Sequence, residues 1–314
     1  MKKIVVLAGC FLAIFLTGCC DSGFSKTEYN IATGSKSGVY YPIGETLATI
    51  LNEKHPGVKL NIIETAGSVE NLQMVNDGKV DLALVQNDIA YYASQGEAMF
   101  ADNRLTNIQG IATLFPEVVQ IIVSKESSIE SLNDLSGHRI AVGSPESGTY
   151  YNAKQILGKA GVWDSVELEY FGVGQAIEQM QAGELDGFIF TSGLPNPSIV
   201  ELGKNMEISL LGIEPSLIQK IVNEYSFYFP SLVPANQYPG QPHEVHVVEI
   251  NAILVCGLAL NENDQYLLTR DLFNEPNELG QSHPRLNKMT RTSLRQQMPV
   301  NLAPGAYKAY TQIP

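Results

Sequence analysis

Cations are scarce in this chain. Twenty Lys and Arg stand against 33 Asp and Glu, a formal net charge of −13 over 314 residues. So acidic a balance excludes nucleic acid as a partner, because phosphate binding needs a basic face. Any attraction for a small anion must then be local rather than a property of the whole field. Cysteine is nearly as scarce, with four residues at positions 10, 19, 20 and 256. Their spacing fits neither a disulfide framework nor a zinc site. Cys256 lies within the apolar run 253–260 and reads as a small core residue. The five histidines, 55, 138, 243, 246 and 283, are scattered. His243 and His246 could hold a metal only with a carboxylate that no motif marks, so surface positions are expected, and neither a metal nor a cofactor. Low-complexity tracts are lacking. With 44% apolar and 17% charged residues the composition is globular, and the length accommodates two domains.

Long apolar runs are missing but for one. Lys2 and Lys3 precede an apolar stretch from Ile4 to Leu16, too short to span a bilayer and typical of a signal peptide. It ends in Leu16-Thr17-Gly18-Cys19, which resembles the bacterial lipobox. Residues 1–18 are therefore expected to be a lipoprotein signal peptide, with Cys19 the acylated first residue of the mature chain. Cys10 would leave with the signal, and Cys20 would sit beside the anchor. Residues 19–28 are expected to form a lipid-anchored flexible tether, since the stretch 21–27 is polar and small.

What the chain does have is an internal repeat. Ile31, Gly34 and Ser35 align with Ile140, Gly143 and Ser144 at an offset of 109 residues. After one inserted residue, Ser37, Gly38, Tyr40 and Tyr41 align with Ser147, Gly148, Tyr150 and Tyr151. Downstream, the alternating stretch 58–63 is mirrored by 166–171, as short strands would be. Helix-like segments then end on Gly78 and Gly183, both suited to a left-handed cap. Apolar runs 80–85 and 185–190 close each copy as buried strands. Each copy thus reads strand, Gly/Ser turn, helix, strand, turn, helix, strand. Such alternation predicts an α/β fold of two lobes, each a mostly parallel sheet flanked by helices, with a ligand cleft between them.

The turns carry the candidate chemistry. A turn between strand and helix points the first helical N–H groups into the crevice at the strand ends, where α/β sheets bind ligands. Those N–H groups and the helix dipole favour a carboxylate or phosphate. Gly34, Ser35, Ser37 and Gly38 form the first such turn; Ser144, Ser147, Gly148 and Thr149 form the second. The alternative role of these hydroxyls is helix capping. The turns before the second helices, at Gly67, Ser68 and Asn71 and at 172–175, should face the same cleft. So should the strand ends at Gln86 and Asn87 and at Thr191 and Ser192. Tyr40-Tyr41 and Tyr150-Tyr151 fall in first helical turns, one of each pair expected inward and one toward the cleft, Tyr40 among the latter. Asp81 and Asp186 occupy matched strand starts and read as turn or capping residues. Lys36 is the one cation in a site loop, and contact with an anion or plain solvation are equally open for it.

Catalytic motifs fail. Gly34-Ser-Lys-Ser-Gly38 puts Lys36 where a nucleophile elbow needs serine, and it lacks the P-loop order. Gly172-Val-Gly174 has Ile177 in place of the third glycine of a dinucleotide fingerprint. A non-enzymatic role is expected. The competing readings are a sensor subunit for a membrane kinase and a lipid-anchored enzyme acting on a small metabolite.

The stretch from Thr33 to Gly44 resembles the opening of the TAXI group of TRAP-transporter solute-binding proteins. Residues 67–72, 85–92, 135–149 and 153–157 resemble successive motifs of that group, and the similarity runs from 29 to about 310. The resemblance implies a type II periplasmic-binding-protein fold. It implies capture of a small organic anion, such as a glutamate-like amino acid or a dicarboxylate, and delivery to a TRAP-type permease driven by an ion gradient. It implies that 34–41, 67–71, 86–88, 144–149 and 191–193 line the site, with Ser147-Gly148-Thr149 as carboxylate binder. The segment 302–306 resembles a family Leu-His-Pro-Gly-Ala motif with Ala303 for histidine, and no ligand role is expected there. Lobe I is expected to comprise 29–116 with 245–314, and lobe II 117–244. The protein is expected to be a monomer at the periplasmic face of a bacterial membrane, lipid-anchored through Cys19.

Overall fold

Both copies of the repeat fold as the same unit in the computed structural model, which describes residues 23–273, 279–281, 284–287, 289–290 and 292–312. The signal peptide and Cys10, Cys19 and Cys20 lie outside the described residues. The first copy runs β1 (Glu28–Ala32), α1 (Tyr40–Lys54), β2 (Lys59–Ile63), α2 (Ser68–Asn76) and β3 (Leu82–Gln86). Then follow α3 (Asn87–Gln95) and the long β4 (Ile108–Ser124). The second copy runs β5 (Arg139–Ala141), α4 (Gly148–Ala160), β6 (Glu167–Glu169), α5 (Val173–Gln181) and β7 (Gly187–Ser192). After it come α6 (Pro197–Asn205), β8 (Ile208–Leu210), α7 (Pro215–Glu224), β9 (Phe229–Val233), β10 (Val245–Gly257), α8 (Glu262–Phe273) and α9 (Pro304–Gln312).

The pairing repeats as well. β1 lies between β2 and β3, all parallel, and β5 lies between β6 and β7, all parallel. Ile31 and Ile140, aligned in sequence, hold equivalent registers, opposite Ile62 and Leu82 in one half and Leu168 and Gly187 in the other. The two halves are not separate sheets. β10 and β4 run antiparallel between them, so the order is β2-β1-β3-β10-β4-β7-β5-β6. β4 pairs with β10 along its first part and with β7 along its second, and β10 pairs with β9 before it reaches β3. The crossing strands are near-continuous apolar runs, as strands covered on both faces must be. Glu117 is the one acid in β4 and is buried.

Local devices recur between the copies. Gly78 and Gly183 take left-handed φ of 68° and 72° one residue past the caps of α2 and α5. Lys79 N–H reaches Met74 C=O and Glu184 N–H reaches Gln179 C=O, so both helices end in a Schellman motif. Asp81 accepts the Asn30 amide at 2.9 Å, and Asp186 accepts the Arg139 amide at 2.9 Å. These matched acids brace the first strand of each copy, a more specific task than turn formation. Cys256 is buried in β10, and burial pushes its thiol up to about 12. His243 and His246 are both exposed.

The expected flexible tether is corrected from Phe24 onward. Phe24 is buried, with its ring 5.6 Å from Tyr29 and 4.8 Å from His55. One aromatic in a polar stretch is enough to dock it, because the apolar area it hides outweighs the ordering of a few residues. The buried carboxylate of Asp264 on α8 completes the anchor, accepting Ser25 N–H at 2.8 Å, Tyr29 O–H at 2.7 Å and the Ser25 hydroxyl. Tyr29→Phe leaves that carboxylate short of a donor and is expected to cost about 1–3 kcal/mol. Urea unfolding checks this as a lowered midpoint with an unchanged slope.

Candidate functional site

Four helices aim their N-termini at one cavity. They are α1, α2, α4 and α5, of 15, 9, 13 and 9 residues. Two come from each copy of the repeat, so the cavity lies between the halves at the strand C-termini. Its volume is about 130 Å³. For scale, a dry engineered cavity of about 150 Å³ takes up benzene, so a solute of roughly six to ten heavy atoms fits this one.

Of the residues expected to line the site, the structure brings Gly34, Ser35, Gly38, Tyr40, Gly67, Ser68, Gln86, Ser144, Ser147, Gly148, Thr149, Thr191 and Ser192 to the cavity wall. Ser37, Asn71 and Asn87 do not reach it. Asn71 is buried beneath, donating to the carbonyls of Thr33 and Leu84 and so tying the ends of β1 and β3 together. Asn87 accepts the Asn251 amide at 3.1 Å from β10. Ser37 offers its carbonyl to the Ser198 hydroxyl of the opposite half. Asp88 is also behind the wall, fully buried, accepting from Ile89 N–H and from Asn152 across the halves at 2.7 Å. Burial pushes its carboxyl up to about 7. Lys36 lies outside the cavity, beside Glu64 at 3.9 Å and over the Tyr41 ring. Tyr40 alone of the four paired tyrosines lines the cavity. Tyr150 and Tyr151 pack on each other, and Tyr150 also packs on Trp163 and Tyr170. Ala303 is a core residue at the start of α9.

The second Gly/Ser turn is built for an anion. Ser147 caps α4: its hydroxyl donates to Ser144 C=O at 2.7 Å and accepts Tyr150 N–H at 3.2 Å. That takes up the third amide of the helix and leaves those of Gly148 and Thr149 pointing into the cavity. Ser147 is thus a cap first, and Ser147→Ala is expected to cost about 1 kcal/mol of stability, read by thermal unfolding. At α2 the expectation that the first-turn amides face a ligand is only partly met. Gly67, at φ 129°, and Ser68 line the cavity, but the amides of Val69 and Glu70 both donate to Glu146 C=O of the opposite half. Those contacts, with Asn152–Asp88, Gln155–Tyr92 at 2.6 Å and Ser198–Ser37, hold the halves closed over the cavity.

Glu117 is the residue that sequence patterning passed over. It lines the cavity, buried, and accepts the Tyr40 hydroxyl at 2.6 Å. Burial pushes its carboxyl up to about 8; the Tyr40 hydrogen bond opposes this, the nearby Asp88 adds to it, and Arg285 opposes it weakly. Its signal was an acid within an apolar strand-like run. Thr65, Phe171, Ile189 and Phe190 also line the cavity.

The model of the NMT1-like family matches residues 31–313. The chain belongs to the NMT1-like family. Among solved structures, this NMT1-like protein is similar to a protein of Bordetella bronchiseptica RB50, with 18% identity and a TM-score of 0.56 over 93% of this chain and 91% of that one. It is similar to the periplasmic aliphatic sulphonate binding protein SsuA from Escherichia coli, with 16% identity and a TM-score of 0.50 over 92% and 84%. It is similar to the zinc-bound ligand-binding component of an ABC-type import system from Staphylococcus aureus, with 14% identity and a TM-score of 0.51 over 92% and 91%. At these identities the likeness shows the fold, which is that of the type II periplasmic binding proteins.

Proposed function

We propose that this NMT1-like protein is an extracytoplasmic solute-binding lipoprotein that captures a small organic anion by hinge closure and delivers it to a membrane permease. The observation that carries this is the cavity between the halves, lined by Gly148 and Thr149, whose first-turn amides have no intrahelical partner. Closing over the solute expels water and strengthens each charge-assisted hydrogen bond. Lobe I comprises 29–116 with 245–314 and lobe II 117–244, the chain passing between them in β4 and again at β10. Ser35 and Ser144, whose hydroxyls spend no hydrogen bond on the protein, are further donors to the solute. The protein works without catalysis or cofactor, as a monomer, anchored through Cys19 at the periplasmic face. The motif resemblance to the TAXI group supports a TRAP-type permease as partner and a glutamate-like amino acid or dicarboxylate as solute.

A thermal-shift screen tests the reading. The mature protein is stripped of solute by unfolding and refolding, then offered amino acids, C4-dicarboxylates, 2-oxoacids and short aliphatic acids. One acid class is expected to raise stability by about 2.7 kcal/mol at a hundredfold excess over its Kd. Turnover of that acid on long incubation would refute the binding role. Uptake in vesicles driven by ATP and not by an ion gradient would refute the TRAP assignment.

A further inference from the structure

The cavity wall carries two acceptors that an anion cannot satisfy. Gln86 is 4% exposed, lines the cavity, and its Oε1 has no hydrogen-bond partner. Glu117 is 2% exposed and lines the same cavity. No Lys, Arg or His is among the described lining residues. A hydrogen bond from Tyr40 holds the Glu117 carboxyl in the wall. Tyr40 O–H donates to Glu117 Oε2 at 2.6 Å, and Gln86 N–H donates to Ser68 Oγ at 3.0 Å. A donor on a buried carboxyl favours its charged form, yet the described lining supplies no cation to balance that charge.

We propose that the balancing cation arrives with the solute, which is a zwitterionic amino acid. Its ammonium meets Glu117 and Gln86 Oε1, and its carboxylate meets the Gly148 and Thr149 amides. Its side chain is apolar, because Phe171, Val173, Ala176, Ile189 and Phe190 form the apolar part of the wall and no cation among the described residues lines the cavity to pair with a second carboxylate. This narrows the solute proposed above and rests on the solute-binding reading. It also couples binding to protons. The empty protein holds a proton on Glu117 up to about pH 8. An incoming ammonium displaces it to solvent, so the pair forms between carboxylate and ammonium with one proton released. The groups facing Glu117 are Tyr40 from α1, Asp88 from α3 and, more weakly, Arg285; Asp88 disfavours release and Arg285 favours it.

The test compares twins differing only in the amine: L-leucine with 4-methylpentanoate, L-valine with 3-methylbutanoate, L-alanine with propanoate, and L-glutamate with glutarate as the dianionic control. Calorimetry on the stripped mature protein is expected to give one apolar amino acid an affinity about 100-fold above its deaminated twin. Glu117→Gln is expected to erase at least about tenfold of that ratio. Titration of the wild type in two buffers of different ionisation heat is expected to show close to one proton released near pH 7 and progressively less as pH rises past about 8; this second readout does not depend on the variant folding. Equal affinities for the twins, no proton release at neutral pH, or glutarate binding as tightly as any amino acid would each overturn the amine assignment and leave anion capture standing. Failure of every carboxylate, aminated or not, would overturn the solute-binding reading itself and this inference with it.

Discussion

Gly148→Val is expected to abolish solute binding while leaving the protein folded. Gly148 opens α4 at the cavity, where a Cβ would sit 1.9 Å from Gln86 Oε1 and 2.3 Å from its Cδ. Gln86 is the end of β3, in the opposite half, so the two residues meet only when the halves close. A branched side chain at 148 acts as a wedge. It displaces Gln86, crowds the two amides offered to the carboxylate, and holds the halves apart. Displacements near 1 Å at such a site cost on the order of 100-fold, and affinity is expected to fall at least that far. Gly148→Ala is expected to lose less, because a single methyl meets only the far end of a flexible side chain. Stability should change little, since the first helical position lies at a boundary and makes no intrahelical donor bond. Small-angle scattering supplies the check: the wild type contracts when its solute is added, and the valine variant does not. A valine variant that binds and contracts normally would show that closure does not bring Gly148 against Gln86.

The empty protein is expected to lose stability steadily from about pH 5 to pH 8. Asp88 and Glu117 are carboxyls whose native pKa is raised by burial, to about 7 and about 8, from 3.8 and 4.5. The unfolded chain releases both protons near pH 4 to 5, whereas the native state keeps them. The unfolded state therefore binds fewer protons over this interval, and stability declines as pH rises, the benefit being complete only below the unfolded values. Two groups shifted this far amount to several kcal/mol in order of magnitude. Urea unfolding of stripped protein across this range measures the slope. The double variant Asp88→Asn/Glu117→Gln should flatten it and be the more stable protein at pH 8, at the expense of solute affinity. Sites that keep a destabilising buried carboxyl commonly do so for function. Equal slopes in wild type and double variant would contradict the assignment.

Much of this fold was legible because its determinants are local. Gly/Ser turns, alternating or apolar strand runs and capping glycines located ten elements in two matched sets, and Gly78 and Gly183 adopt the left-handed caps their positions suggested. The strand-end logic of α/β sheets led to the cavity wall at both Gly/Ser turns. What local pattern could not reveal was how polar side chains are spent. Asn71 looks like a cleft residue by position, but two strand-end carbonyls claim its amide. The α2 amides look available until Glu146 C=O arrives from the second copy of the repeat. Glu117 was invisible for the opposite reason: it stands in a crossing strand far from any turn, and only the pairing of β4 with β10 and β7 brings it under Tyr40. The segment after Phe24 reads as a tether by composition, while a partner on α8, far along the chain, docks it.

The measurement that tests the account most directly is identification of whatever solute leaves the natively purified mature protein on unfolding. Mass spectrometry of the released fraction, followed by titration of the same compound into the refolded protein, closes the loop. The account predicts one small carboxylate-bearing solute, recovered chemically unchanged, that rebinds one per chain and restores the stability lost on stripping. Chemical conversion of the rebound compound, or a stripped protein that no small carboxylate stabilises, would contradict it.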